Sequence, residues 1–212
     1  MNKFLIPFLL LSQCCFSQSL TDYSIYSSII NDRLESWKIS KESQNVIVIT
    51  DNLTAFSQRI DLHDYAEIFS SNDNNLIYVT LNYKDSLIKL SSSTEFKELF
   101  KRFAYNYNKP RNLTPENFNL PCNIKIVSSE KIQNLFSIRK PKAFDEAWKK
   151  FYKQYPTSLG YFELSNIEYS DNYAIFYLVH RAKPLIGDGQ LIIMKKTNYN
   201  WKFYESLNLW ME

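Results

Sequence analysis

Acidic residues set in apolar surroundings are the side chains of this sequence with the most chemical reach. Asp51 follows the apolar run Val46–Ile49, Glu163 sits in Gly160-Tyr161-Phe162-Glu163-Leu164, and Asp188 lies between Gly187 and Gly189. Hydrolysis by scattered acids would need these carboxylates to converge in one cleft, about 5 to 10 Å apart for glycoside cleavage. Asp51 also reads as ordinary turn chemistry in Asp51-Asn52-Leu53-Thr54. Nucleophilic and metal chemistry has less material, because a triad or a metal centre needs several convergent groups. The histidines are His63 and His180. His63 cannot be oriented by its neighbour Asp64, since adjacent side chains diverge, and it reads as a surface-loop residue. His180 ends an alternating run and reads as lying at the rim of a sheet. Cys122, between Pro121 and Asn123, reads as a small buried apolar residue before it reads as a nucleophile. No catalytic residue, metal ligand or cofactor is assigned. A glycine-rich phosphate loop, G-x-S-x-G, H-E-x-x-H and the EF-hand pattern are all missing from the sequence.

Binding has a better candidate. Residues 105–121 are rich in Asn and Pro, lack periodicity, and suit a linker or a long functional loop. Tyr105, Tyr107 and Phe118 could stack there on sugar or peptide, or could instead cover the core.

The elements that must position these groups are legible from periodicity. In Phe144–Tyr155, Phe144, Trp148, Phe151, Tyr152 and Tyr155 make one apolar stripe at helical spacing, with Asp145 and Glu146 early and Pro156 ending it. Strand-like runs follow at Tyr161–Tyr169, Tyr173–Ala182, Gln190–Lys196 and Trp201–Leu209, with short connections that predict an antiparallel meander. The longer connection Lys183–Gly189 holds two of the chain's 3 glycines, which predicts positive φ or a bulge. Upstream, Thr21 or Asp22 can cap a helix to about Trp37 carrying Tyr26, Ile30 and Leu34. Val46–Ile49 reads as a buried strand. Leu76–Leu81 reads as a strand with Asn82–Leu90 paired to it, and Thr94 as the cap of a helix carrying Phe96, Leu99, Phe100 and Phe103. Ile124–Val127 reads as a strand and Ile132–Phe136 as a short helix.

The order of residues in the C-terminal part resembles a family of uncharacterised secreted bacterial proteins. The resemblance lies in Trp148, Phe151, Tyr152, Tyr155, Pro156, Ser158 and Gly160, then Leu164-Ser165, then Gly187 and Gly189, then Lys195, Asn198 and Trp201. Tyr23–Ser27, the following apolar strand and Asp51 are similar to the start of the same family. About half of the mature chain is covered. The strand after Asp171 departs from the pattern, being less apolar and more basic at Arg181. The resemblance implies secretion and a single-family architecture, and it implies no activity, cofactor or catalytic residue.

Composition agrees with one exported domain. The chain has 212 residues, 45% hydrophobic and 16% aromatic, enough for one packed core. A net charge of +3 is too mild for a nucleic-acid partner. Lys3 and the apolar run Phe4–Leu11 read as a signal peptide over residues 1–17, with Gln18 first in the mature chain. The run is too short for a transmembrane helix. A rival reading takes Leu11-Ser12-Gln13-Cys14 as a lipobox, with Cys14 lipidated at the outer membrane. Only Cys122 would survive signal cleavage, so an intramolecular disulfide is not expected.

The expectation is an α+β fold, helices packed on a mainly antiparallel sheet, with a C-terminal helix and four-strand meander analogous to cystatin-like or NTF2-like folds. Residues 18–212 are expected to form one domain. The expected function is that of an exported protein, periplasmic or secreted, that binds a partner protein or a small ligand without catalysis. The alternatives are a hydrolase using scattered carboxylates and a lipid-anchored structural protein of the envelope.

Overall fold

The computed structural model describes residues 5–38, 45–59, 61–70, 85–137 and 141–212, with the side chains of the first helix described from Leu20 onward. The protein is α+β, with helices on both sides of one mostly antiparallel, mixed sheet. In chain order the elements are α1 (Leu5–Ser36), β1 (Val46–Thr50), α2 (Leu62–Ser70), α3 (Asp85–Ser91), α4 (Thr94–Asn106), β2 (Asn123–Val127), α5 (Ser129–Phe136), α6 (Pro141–Gln154), β3 (Ser158–Leu164), β4 (Glu168–Tyr169), β5 (Tyr173–Lys183), β6 (Ile186–Thr197) and β7 (Asn200–Met211).

The strand order is β2-β1-β3-β5-β6-β7, with β4 also paired to β5. β1 runs parallel to both β2 and β3, whereas β3, β5, β6 and β7 form the antiparallel meander. The apolar run of β1 explains its place. Parallel strands are covered on both faces, and Ile47, Val48 and Ile49 are fully buried.

Side-chain alternation then divides the core. Ile47, Ile49, Phe162, Leu164, Ala174, Phe176 and Leu178 face α1, which lays Tyr23, Tyr26, Ile30 and Leu34 across them. On the opposite face, Ile175, Tyr177, Val179, Leu191 and Ile193 pack under α2, α3 and α4. Also on that face, Val48, Val127 and Tyr161 pack under α5 and α6 through Ile132, Trp148, Phe151 and Tyr155. Two helical clusters therefore share one side of the sheet, and a seam runs between them.

Several local expectations are corrected. The first helix begins at Leu5 and continues through residue 17. Asp85–Ser91 is a helix with Leu87 and Leu90 buried, where alternation predicts the end of a strand. The expected strand Leu76–Leu81 lies outside the described residues. Ser93 caps α4 by accepting from the Phe96 N–H; Thr94 is the first helical residue. The run Tyr161–Tyr169 breaks after Leu164, where the Ser165 hydroxyl oxygen accepts from Tyr177 N–H at 2.8 Å. β5 and β6 are joined through Pro184-Leu185 alone, with Leu185 at φ 60°, and Gly187 and Gly189 lie inside β6. Residues 107–122 form a strap across α1: Thr114 N–H donates to the Tyr23 hydroxyl at 2.8 Å and Asn119 N–H to the Ser27 hydroxyl at 2.9 Å. No helix among the described residues is long and apolar enough to cross a membrane.

Candidate ligand-binding site

The seam between the two helical clusters holds charged groups that the sheet carries inward. On β5 the alternation Ile175, Tyr177, Val179 continues to Arg181, which is only 5% exposed. On β3 the residue paired with Val179 is Glu163, fully buried. The loop after β1 wraps over them. Thr54 N–H donates to Glu163 Oε2 at 2.6 Å and the Thr54 hydroxyl to Oε1 at 3.1 Å. Burial pushes the Glu163 carboxyl pKa up, and the hydrogen bonds from Thr54 and Ser57 and the charge of Arg181 oppose that push. Burial also pushes the Tyr161 hydroxyl well above its ordinary value, helped by the negative charges of Glu163 and Glu212.

Arg181 sits in an aromatic corner. Its Cζ lies 4.1 Å from the Phe56 ring centroid and 4.4 Å from that of Trp210. The two rings meet edge to face at 83°, so each shields a different side of the guanidinium. Trp210 is seated by two glycines. A Cβ on Gly189 would fall 2.1 Å from Trp210 Nε1, and one on Gly187 would meet the same ring at 3.4 Å. The scarce glycines of β6 thus serve close approach of a side chain, and neither has positive φ. Trp210 Nε1 donates to the Tyr177 hydroxyl at 2.6 Å, which fixes the ring.

The guanidinium is only half used. Nη1 donates to Glu212 Oε2 at 2.7 Å, whereas the buried Nη2 has no hydrogen-bond partner among the described residues. Arg181 also lines a cavity of about 460 Å³, together with Glu212, Tyr161, Phe56, Phe136 and Phe144, with Thr54, Gln133 and Ser137 adding polar edges. That size lies within the range of small-ligand pockets.

The residues singled out in the sequence distribute differently. Cross-strand pairing puts Glu163, Val179 and Gly189 on one face and Phe162, His180 and Asp188 on the other. Glu163 and Asp188 therefore point to opposite sides of the sheet, and Asp188 is bound there by Arg33 of α1 at 2.8 Å. Asp51 accepts the Ser129 N–H at the start of α5, at 2.8 Å. With Glu163 and Asp188 on opposite sides of the sheet, the three carboxylates lack the convergence in one cleft that a hydrolase built on them needs.

Tyr105, Tyr107 and Phe118 are not brought together either. Tyr105 is exposed on α4, with its ring 4.6 Å from that of His63. Tyr107 is buried in the core under α2 to α4, and Phe118 is buried against Tyr23 and Tyr26 on the α1 face. His63 lies in helix α2 and is exposed, where a loop is expected.

His180 is buried, not at the rim. Its ring lies 4.7 Å from Trp37 and 4.6 Å from Phe162, and its Nε2 is 2.9 Å from the Leu159 carbonyl. Burial lowers its pKa to about 4. Cys122 is half-buried, and burial pushes its thiol pKa up. No three His, Cys, Asp or Glu side chains among the described residues converge to hold a metal ion. The side chain of Cys14 lies outside the described residues.

Compared with protein-family models, with curated proteins and with solved structures, the chain matches none. The geometry of the seam is therefore the main guide to function. Arg181 was visible in the sequence as a basic residue continuing the inward face of an apolar strand. Its neighbours Phe56, Trp210 and Glu212 carry no signal of their own.

Proposed function

We propose that this chain is an exported bacterial binding protein that takes a small ligand, without catalysis, into the seam between its two helical clusters. The observation that carries the reading is Arg181, buried in the cavity wall with one arm of its guanidinium unpaired among the described residues. A buried unpaired donor costs roughly 1–3 kcal/mol, more for a charged group, and a ligand acceptor would recover that cost. The mixed lining fits this role, with aromatic rings for a ligand body and a few convergent polar groups for its orientation.

Export rests on the sequence of residues 1–17, with Lys3 ahead of the apolar run Phe4–Leu11. Among the described residues, those of α1 that pack on the sheet run from Tyr23 to Leu34, beyond the cleavage position. Cleavage after Ser17 leaves these residues in the mature protein. The lipid-anchored alternative retains them equally.

Native mass spectrometry of the full-length gene product, expressed in a bacterium and recovered from its envelope and medium, tests both parts. An intact mass beginning at Gln18, with a noncovalent adduct that is lost in Gln133→Trp, is the expected result. An uncleaved N-terminus retained in the cytoplasm overturns export, and lipidated Cys14 selects the anchored form. An adduct that persists in Gln133→Trp moves the ligand out of this cavity.

A further inference from the structure

We infer that the ligand is a small organic carboxylate with an apolar or aromatic body, and that it binds by displacing Glu212 from Arg181. This rests on the binding reading above and specifies its chemistry. Three observations lead to it.

The first is the fork. A guanidinium presents two parallel N–H donors that match the two oxygens of a carboxylate. Glu212 uses only Nη1, through Oε2 at 2.7 Å, and leaves Nη2 unpaired among the described residues. Glu212 is held at the end of β7 by its own N–H, which donates to the Gly187 carbonyl at 2.9 Å. That anchor limits how its side chain can approach the fork. A free carboxylate has no such tether and can engage both arms.

The second is charge. Arg181 and Glu212 already neutralise one another. A second carboxylate placed beside them would set two anions on one cation, close to Glu163 and Tyr161, in a site only partly open to water. Exchange avoids this: the ligand takes the position of Glu212, and the buried guanidinium stays paired. The side chains differ in the way exchange requires. The Arg181 side chain is 6% exposed, whereas that of Glu212 is 28% exposed and can turn into solvent. A ligand cation would face Arg181 and is disfavoured.

The third is shape. Phe56 and Trp210 shield two sides of the guanidinium, so its edge is the approach, and Glu212 stands on that edge. Phe136, Phe144 and Ile132 line the rest of the cavity, which suits the body of the acid. Glu212 is thus an internal competitor for its own site.

A matched pair of probes tests this: 3-phenylpropionate and its amide, 3-phenylpropanamide, titrated calorimetrically into the mature chain. They share a body and differ in the group that meets Arg181. The wild-type protein should prefer the acid by about tenfold or more, the discrimination expected of a charge-assisted hydrogen bond. Glu212→Gln should tighten acid binding and leave amide binding unchanged. Arg181→Gln should abolish the preference while circular dichroism and the melting transition show an intact fold. Equal binding of acid and amide, a preference surviving in Arg181→Gln, or weaker acid binding in Glu212→Gln would each overturn the carboxylate assignment. Binding of neither probe to wild type or Glu212→Gln overturns it as well. Equal binding that is lost in Gln133→Trp discards the acid and keeps the binding cavity. Binding unaffected by Gln133→Trp removes the cavity itself.

Discussion

The two faces of the sheet treat buried polar groups in opposite ways. On the α1 face, Arg33 donates to both carboxylate oxygens of Asp188, at 3.0 and 2.8 Å, and to Gln190 at 2.8 Å. On the same face Arg111 donates to Asp22 at 3.0 Å, and Asp22 also receives the Tyr169 hydroxyl at 2.5 Å. The Tyr26 hydroxyl donates to the Ser165 carbonyl at 2.6 Å. Each arginine there is committed, and the strap of residues 107–122 closes over the helix. On the seam face, Arg181 makes one side-chain hydrogen bond and opens on a cavity. A fully paired face holds the fold together, whereas a half-paired one has capacity left for a ligand. On the proposed reading, one side of a single sheet serves structure and the other serves recognition.

Two phenylalanines give the largest test of that division. Phe118 is 8% exposed against Tyr23 on the α1 face, and Phe56 is 46% exposed at the rim of the cavity. Phe118→Ala should cost about 3 kcal/mol or more, as truncation of a buried aromatic does. Phe56→Ala should cost about 1 kcal/mol or less, since half the ring is already in water. Urea unfolding measures both, and equal losses would erase the distinction.

The faces should also respond to pH with opposite signs. His180, on the α1 face, has its pKa lowered from 6.5 to about 4, first by burial, with Arg33 adding to the shift and the Leu159 carbonyl and Asp188 opposing it. The unfolded chain takes up a proton that the folded state refuses. Stability from this group is therefore full above pH 6.5 and falls as pH drops toward 4, by about 3 kcal/mol. Glu163, on the seam face, has its pKa raised. Its contribution is present below the ordinary carboxyl range and is lost as pH rises through the folded value. Unfolding free energies measured as a function of pH check this: His180→Gln should flatten the loss of stability on acidification below pH 6.5, and Glu163→Gln should remove the loss that sets in as pH rises above the ordinary carboxyl range.

The sequence made one of these faces more legible than the other. The stripes of α1 and α6 and the alternation of β5 follow from periodicity, because each spacing reports a local geometry. That alternation even puts Arg181 on the same side as Ile175, Tyr177 and Val179. The site stayed hidden because it is assembled across the chain. Phe56 comes from the loop after β1, and Trp210 and Glu212 from the end of β7. Gly187 and Gly189 predicted positive φ or a bulge, and the β6–β7 register does shift between Gly189 and Gln190. The positive φ falls instead at Leu185, φ 60°, in the Pro184-Leu185 connection, and the glycines let Trp210 lie over them. Which side of the sheet Glu163 and Asp188 face depended on cross-strand register, which sequence does not supply. His180 was misplaced for a related reason: Trp37, beyond the end of α1, folds over its ring.

Gly189→Ala tests the register directly. The new methyl would sit 2.1 Å from Trp210 Nε1 and 2.5 Å from the Tyr177 hydroxyl. Either the indole or the β6 backbone must move, at a cost of about 2 kcal/mol. Because Trp210 is one of the two rings around Arg181, the displacement should also change tryptophan fluorescence and weaken the preference for the acid probe. A stable variant with unaltered emission would mean that Trp210 does not depend on the glycines.

The smallest expected effect is the most informative. Arg181→Met with Glu212→Gln removes the charge pair of the seam and substitutes an apolar side chain for the guanidinium. Buried ion pairs are often no more stabilising than apolar replacements of similar volume, since their desolvation offsets their attraction. This pair also leaves one donor unpaired among the described residues. The double variant should therefore lie within about 1 kcal/mol of wild type, or above it. Arg33→Met alone should be clearly destabilising, because it strands the partly buried Asp188 and removes the donor to Gln190. If the seam double variant lost as much stability as Arg33→Met, Arg181 would be retained for the fold, and the case for a site kept for a ligand would fail. If it lost nothing, a costly, half-satisfied charge persists in the wall of a cavity without serving stability, which is the condition expected of a residue held there to bind.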